Sequence, residues 1–173
     1  MKILRRLAVL SLVLSILSCG GPKVKNPVVQ FETTQGPFKA ELYSDVKVTT
    51  QNFVDLVNAQ FYDGLTFHRY EPNFVIQGGD PTGTGTGSSE KKIPLEIVEG
   101  RVHEEGALGM ARSQDPNSAS CQFYVCLAPA HFLDKNYAVF GKVVEGFENV
   151  KKLRKGDKMT RVFVVEDSGK EGK

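Results

Sequence analysis

Phe67-His68-Arg69-Tyr70-Glu71-Pro72-Asn73-Phe74-Val75-Ile76-Gln77-Gly78-Gly79-Asp80 is the stretch that decides the fold. It takes in most of one short β-rich run, Leu65 to Tyr70, all of a second, Phe74 to Gln77, and a Gly-Gly-Asp exit. Arg69 is a full charge set among apolar and aromatic neighbours. Taken alone, it is a strand arginine whose aliphatic stem covers a hydrophobic edge.

Outward from this stretch the chain is mostly strand. Val28 to Thr34 and Pro37 to Tyr43 are β-rich runs about Gln35-Gly36, which predicts a hairpin. From Val46 to Ala59 the period changes: Phe53, Leu56 and Val57 follow i, i+3, i+4, while Thr49, Thr50, Gln51 and Asn52 are polar, so an amphipathic helix covers something apolar. Further strands are expected at Ala107 to Ala111, Gln122 to Leu127, Tyr137 to Val144 and Arg161 to Glu166. Phe147, Val150 and Leu153 mark a second, short helix. Strand and helix do not alternate and no repeat is present, which disfavours a parallel α/β sheet. Many short strands with two helices predict a closed β-barrel with helical lids.

The chain has 173 residues, of which 40% are hydrophobic and 24% charged, the make-up of one globular domain. Its net charge of +2 is too small for a nucleic-acid binder. Three of its 22 bases, Lys2, Arg5 and Arg6, precede the apolar run Leu7 to Leu17 (LAVLSLVLSIL), the pattern of a signal peptide and too short to span a bilayer. Without residues 1–18 there remain 19 bases against 20 acids, about −1.

Local patterns with chemical potential mostly fail on inspection. Gly83-Thr84-Gly85-Thr86-Gly87-Ser88-Ser89 lacks the Lys-Ser/Thr of a phosphate-binding loop and opens no helix. Cys121, Cys126, His131 and His103 match no common zinc spacing, and the odd separation of the two cysteines sends them to opposite faces of a strand, so neither metal nor disulfide is expected. His68 has no serine or cysteine in an elbow context to activate. By the same period of two, Gln122 and Tyr124 share one face, and Cys121, Phe123 and Val125 the other.

Phe67 to Asp80 stands in order with Gly106-Ala107-Leu108-Gly109-Met110-Ala111-Arg112, Ser120 to Val125, Phe132-Leu133-Asp134 and Tyr137 to Val143. Together these blocks resemble the cyclophilins, the cyclosporin-type peptidyl-prolyl cis/trans isomerases, over about Val28 to Glu166. The resemblance implies a closed eight-stranded antiparallel β-barrel capped by two α-helices. It further implies a substrate groove on the outer face, a non-covalent reaction on X-Pro bonds, and no cofactor. Arg69 would be the catalytic donor. Phe74, Val75, Tyr124 and Leu133 would line the proline pocket, with Phe132 and Tyr137 at its rim. Gln77 and Gln122 would orient donor and substrate, and backbone at Ala111 and Arg112 would pair with the peptide. A cyclophilin-like module that binds Pro-containing segments without isomerising them is the alternative.

Several positions depart from the commoner family pattern: Phe132 stands for Trp, Tyr137 for His, Val75 for Met, Tyr124 for Phe, Arg112 for Asn, and Cys121 for a small residue. The chain has no Trp, so the indole N–H that would bond cyclosporin is missing and weak cyclosporin binding is expected.

Ile16-Leu17-Ser18-Cys19-Gly20 resembles the lipobox of bacterial lipoproteins, which implies cleavage before Cys19 and its acylation; a plain secretory signal is the other reading. The domains expected are a signal peptide (1–18), a lipidated N-terminus and tether (19–27), an isomerase domain (28–167) and a polar tail (168–173). The protein is expected as a monomer held at a bacterial membrane, facing periplasm or cell exterior, with proline-containing segments of exported proteins as partners and the lipid bilayer engaged through Cys19.

Overall fold

The structure is a computed structural model that describes residues 26–165; Cys19, the signal segment and the C-terminal tail lie outside the described residues. The chain runs β1 (Val28–Thr33), β2 (Phe38–Leu42), α1 (Lys47–Asn58), β3 (Phe67–Glu71), β4 (Val75–Gly78), β5 (Ala107–Met110), β6 (Phe123–Cys126), a 3-10 turn (His131–Leu133), β7 (Val139–Glu145), α2 (Phe147–Lys152) and β8 (Met159–Val164). The expected elements are all present, with ends that move by at most two residues.

All eight strands join one antiparallel sheet in the order β3-β4-β6-β5-β7-β2-β1-β8. The closed barrel is corrected here: the sheet is open and curled. Its end strands β3 and β8 form no ladder with each other, and meet only near their starts, at the isolated bridge Thr66↔Lys158. Backbone bonds from Phe67 to the Asp157 carbonyl (2.8 Å) and from Met159 to the Leu65 carbonyl (2.9 Å) hold this corner. The reason is geometric. After the bridge β3 turns toward Pro72 and pairs with β4 only, so the remaining backbone of the two edges diverges.

Period-two burial builds the core. Val29 and Phe31 of β1 face Phe38, Ala40 and Leu42 of β2, all essentially inaccessible. Phe123 of β6 lies at the aromatic centre, with ring centroids at 5.7 Å to Phe31, 5.3 Å to Phe53, 5.7 Å to Tyr62 and 6.5 Å to Phe67. Helix α1 contributes Phe53 and Val57 and packs over β7 and β8, while Val150 of α2 and Leu153 just after it add a second patch. No side chain at Val46 caps α1. The carboxylate of Glu96, from a distant loop, accepts the N–H of Thr49 at 2.9 Å and of Val48 at 3.3 Å, which is the anionic partner that a helix N-terminus favours.

β5 and β6 are buried on both faces. Phe123 and Val125 enter the main core, whereas Tyr124 and Cys126 join a second cluster with Val75, Ala107, Ala130 and Val139. Cys121, two residues before β6, belongs to the main core and Cys126 to the outer cluster; both are free thiols. Replacing Phe123 by Ala removes the hub of the aromatic cluster and is expected to cost about 3–5 kcal/mol of stability. Equilibrium denaturation that finds less than about 1 kcal/mol would contradict this packing.

Candidate active site

The β3–β4 hairpin places the first two groups. Its turn closes with a bond from Phe74 N–H to the Glu71 carbonyl at 3.1 Å, and Asn73 takes a left-handed φ of 56°, which a short polar side chain tolerates. Arg69 and Gln77 are register partners across the two strands, so their side chains emerge side by side on the outer face. The Arg69 guanidinium, half exposed, lies 3.4 Å from Gln77 Oε1 and 3.4 Å from Glu71, and its carbon is 5.8 Å from the centre of the Phe74 ring.

Next to Arg69 opens a cavity of about 330 Å³ lined by Phe74, Val75, Gln77, Ala111, Arg112, Tyr124, Leu133 and Tyr137. The outer cluster forms its apolar base: Tyr124 is 5% exposed, and the Tyr137 ring stands edge-on to it at 6.3 Å. Of the remaining expected residues, Phe132 is 72% exposed and stacks on Phe74 at 5.4 Å, outside the cavity. Gln122 lines a neighbouring, polar cavity of about 360 Å³ that shares Gln77, Ala111 and Arg112 with the first. Nine of the eleven residues picked from the sequence thus line the Arg69 cavity, Gln122 lines the adjoining one, and Phe132 stacks outside on Phe74.

Two details differ from expectation. The Ala111 N–H is already donated to the Gln122 carbonyl at 2.9 Å, so it is not open to a peptide, in contrast to the Ala111 carbonyl and the backbone of Arg112. The Arg112 side chain is a strut: it donates to the Asn136 carbonyl at 2.7 and 3.1 Å and to the Ser113 carbonyl at 2.8 Å, and its guanidinium lies 4.7 Å over the Tyr137 ring.

A polar chain runs inward from Arg69. Gln77 Nε2 donates to Gln122 Oε1 at 2.9 Å, and Gln122 Nε2 donates to the carbonyls of Gly85 at 3.1 Å and Gly87 at 2.8 Å. That glycine loop is held by Asp80, which accepts the Thr82 N–H at 2.7 Å, the Thr82 hydroxyl at 2.8 Å and the Gly85 N–H. Burial pushes the Asp80 carboxyl up, but these bonds, with one from the Gly87 N–H, outweigh it and bring it to about 2. Gly79, just before it, has a φ of 84°, and a Cβ there would lie 2.5 Å from the Cys121 carbonyl oxygen.

His103 and Asp134 received no site role from the sequence. His103 is fully buried, with Nε2 2.9 Å from the Tyr124 hydroxyl and Nδ1 2.6 Å from Asp134. Separations of 21 and 31 residues give no periodic signal that could have joined these three. His68 is buried beside Arg69 and neither ring nitrogen has a hydrogen-bond partner in the described residues, so it activates no nucleophile there.

The site thus offers one half-exposed cationic donor beside a cavity that mixes aromatic, aliphatic and polar side chains, and no serine, threonine or cysteine lines that cavity. Residues 28–168 match the family model described as cyclophilin type peptidyl-prolyl cis-trans isomerase/CLD. The chain belongs to the cyclophilins, and it is a peptidyl-prolyl cis-trans isomerase. A peptidyl-prolyl cis-trans isomerase of Synechococcus elongatus is 41% identical over 140 residues, 79% of this chain and 95% of that protein. A Cryptosporidium parvum cyclophilin crystal structure superposes with a TM-score of 0.78 at 28% identity, over 82% of this chain and 99% of that one. A structure described as determined in the presence of the dipeptide Ala-Pro, from the same organism, gives 0.76 at 29% identity, covering 81% and 99% of the two chains.

In this cyclophilin the loop anchor is titratable, and the sign of its effect is fixed. Asp80 has a folded value below the unfolded one of about 3.9, so its contribution is fully present above pH 4 and fades as pH falls toward 2. Asp80→Asn is expected to lose about 2 kcal/mol at pH 7, with the gap to wild type closing between pH 4 and 2. Denaturation curves across that range that keep a constant gap would refute the assignment.

Proposed function

We propose that the Arg69 cavity is where the isomerisation takes place. The observation that carries this is the meeting of one half-exposed guanidinium with a cavity of about 330 Å³, roomy enough for a prolyl ring, whose lining includes the apolar surfaces of Phe74, Tyr124 and Leu133. An X-Pro bond resists rotation by about 18–20 kcal/mol because amide resonance keeps it planar. Turnover on the order of 10³ s⁻¹ needs a barrier near 13 kcal/mol, so the site must supply roughly 6 kcal/mol. Sequestering the pyrrolidine in Phe74, Val75, Tyr124 and Leu133 contributes a few kcal/mol at about 25 cal/mol per Å² and fixes the ring. The chain on the amino side of the bond then rotates against it.

Arg69 acts on the twisted state. As resonance is lost the prolyl nitrogen turns pyramidal and gains a lone pair, and the guanidinium, always charged, donates to it and holds the prolyl carbonyl. Gln77 and Gln122 fix the direction of that donor. The Ala111 carbonyl and Arg112 N–H pair with the extended peptide, with Phe132 and Tyr137 closing the rim. The Cryptosporidium relative's structure in the presence of the dipeptide Ala-Pro supports a proline-containing ligand for this groove. Phe132 in place of an indole supports weak cyclosporin binding.

Arg69→Ala is expected to lower kcat/KM for a Pro-containing peptide at least a hundredfold, about 2.7 kcal/mol in the barrier, with an unchanged circular dichroism spectrum. A drop below threefold would remove Arg69 from the mechanism.

The physiological setting we infer is the folding of exported proteins, with the enzyme tethered to a bacterial membrane through acylated Cys19. The basic, apolar and Cys19-Gly20 pattern of the N-terminus supports it. In cells, Cys19→Ser is expected to move the protein from the membrane fraction to the soluble one; retention in the membrane would rule out this anchor.

A further inference from the structure

We propose that His103, an uncharged imidazole sealed behind the cavity, is a positioning residue of this isomerase: through Tyr124 and Asp134 it locks the cavity's floor to its wall, and affinity for the prolyl ring falls when His103 takes up a proton. The inference rests on the Arg69 cavity being the prolyl site.

The hydrogen-bond directions follow from the groups present. Asp134 Oδ1 accepts the backbone N–H of His103 at 2.9 Å and lies 2.6 Å from its Nδ1. A carboxylate only accepts, so Nδ1 carries a proton; in the neutral ring Nε2 is then bare, and the Tyr124 hydroxyl donates to it at 2.9 Å. The imidazole and phenol rings lie nearly parallel, 13° apart at 5.9 Å. Access to this partner depends on Gly109 of β5, where a Cβ would stand 2.2 Å from the ring carbon bearing the Tyr124 hydroxyl.

Asp134 carries the constraint to the opposite wall. It closes the 3-10 turn that bears Phe132 and Leu133, donating its N–H to the His131 carbonyl at 3.0 Å, while its Oδ2 meets His131 Nδ1 at 3.1 Å. Tyr124 and Leu133 line the same cavity. A single imidazole therefore couples β6 to the 3-10 turn, and with both ends bonded the cavity keeps one width.

Protonation breaks the arrangement. Once Nε2 carries a hydrogen, Tyr124 must become the acceptor, and its own hydrogen is left inside a site where the residue is 5% exposed. The groups facing this ring are Asp134, then His131 with Glu104 3.5 Å behind it, and around Tyr124 the Cys126, Tyr137 and Arg112 side chains. Burial holds His103 below the usual histidine range against the pull of Asp134, and His131 adds to the depression, so the neutral form dominates at neutral pH.

The test follows the His103 ring by NMR in the full chain from pH 8 to 4, alongside kcat and KM for an uncharged Pro-containing peptide. KM is expected to rise several-fold in step with His103 protonation while kcat changes less than twofold. Tyr124→Phe should show about tenfold higher KM at pH 8, with His103 titrating at higher pH because Nε2 has lost its donor. A wild-type KM that rises where His103 stays neutral, or stays level where it titrates, overturns the proposal, as does an unchanged KM in Tyr124→Phe. The wild-type titration decides alone if that variant does not fold. Phe74→Ala separates the premises: an unchanged KM there faults the prolyl-site assignment, whereas a raised one beside an unaffected Tyr124→Phe faults only the His103 linkage.

Discussion

The alternation of β6 is the constraint on which the rest depends. Consecutive side chains of a strand leave on opposite faces, so Phe123 anchors the aromatic core while Tyr124, its neighbour, floors the cavity. A slip of one residue would exchange the two, putting a phenol into the core and a benzyl ring against His103. β6 cannot slip, because β4 and β5 flank it on both sides with fixed register and Phe123 is packed by four rings. Stability and site geometry are consequently set by the same few residues.

Holding an exposed arginine is the harder problem. A half-exposed side chain loses rotamer entropy on ordering, on the order of 1.5–2 kcal/mol, and its contacts of 3.4 Å to Gln77 and Glu71 are too long to offset that firmly. The firmness lies one step back. Gln77 is bound to Gln122, Gln122 to two loop carbonyls, and the loop to Asp80, a carboxylate kept ionised by four hydrogen bonds. The Arg69 guanidinium is thus left adjustable, while the groups behind it stay fixed. Arg112, which resembles a second cationic donor on paper, is consumed by backbone carbonyls and the Tyr137 ring.

Much of this was legible beforehand, for reasons that differ by residue. The hairpin about Gln35-Gly36 follows from two β-rich runs and a glycine turn, α1 from an apolar period of 3.6, and the divergence of Cys121 from Cys126 from parity. The groove residues were legible only as a family resemblance, since nothing in the spacing of Arg69, Tyr124 and Leu133 brings them together. Glu96 capping α1, Asp80 gathering its loop and Asp134 beneath the 3-10 turn were not legible, because each is a polar residue whose partners lie on backbone or on distant segments.

The sequence by itself determined which residues face in and which face out, and so the mostly antiparallel β architecture, because side-chain parity is a local property of the strand. Whether the sheet closes was decided by tertiary structure alone: β3 and β8 touch at one bridge and then part, a matter of how eight twists accumulate rather than of any one strand's pattern. The same holds for His103. Desolvation favours its neutral form against the pull of a carboxylate 31 residues away, and that carboxylate orients the ring toward Tyr124; neither influence exists until the chain has folded.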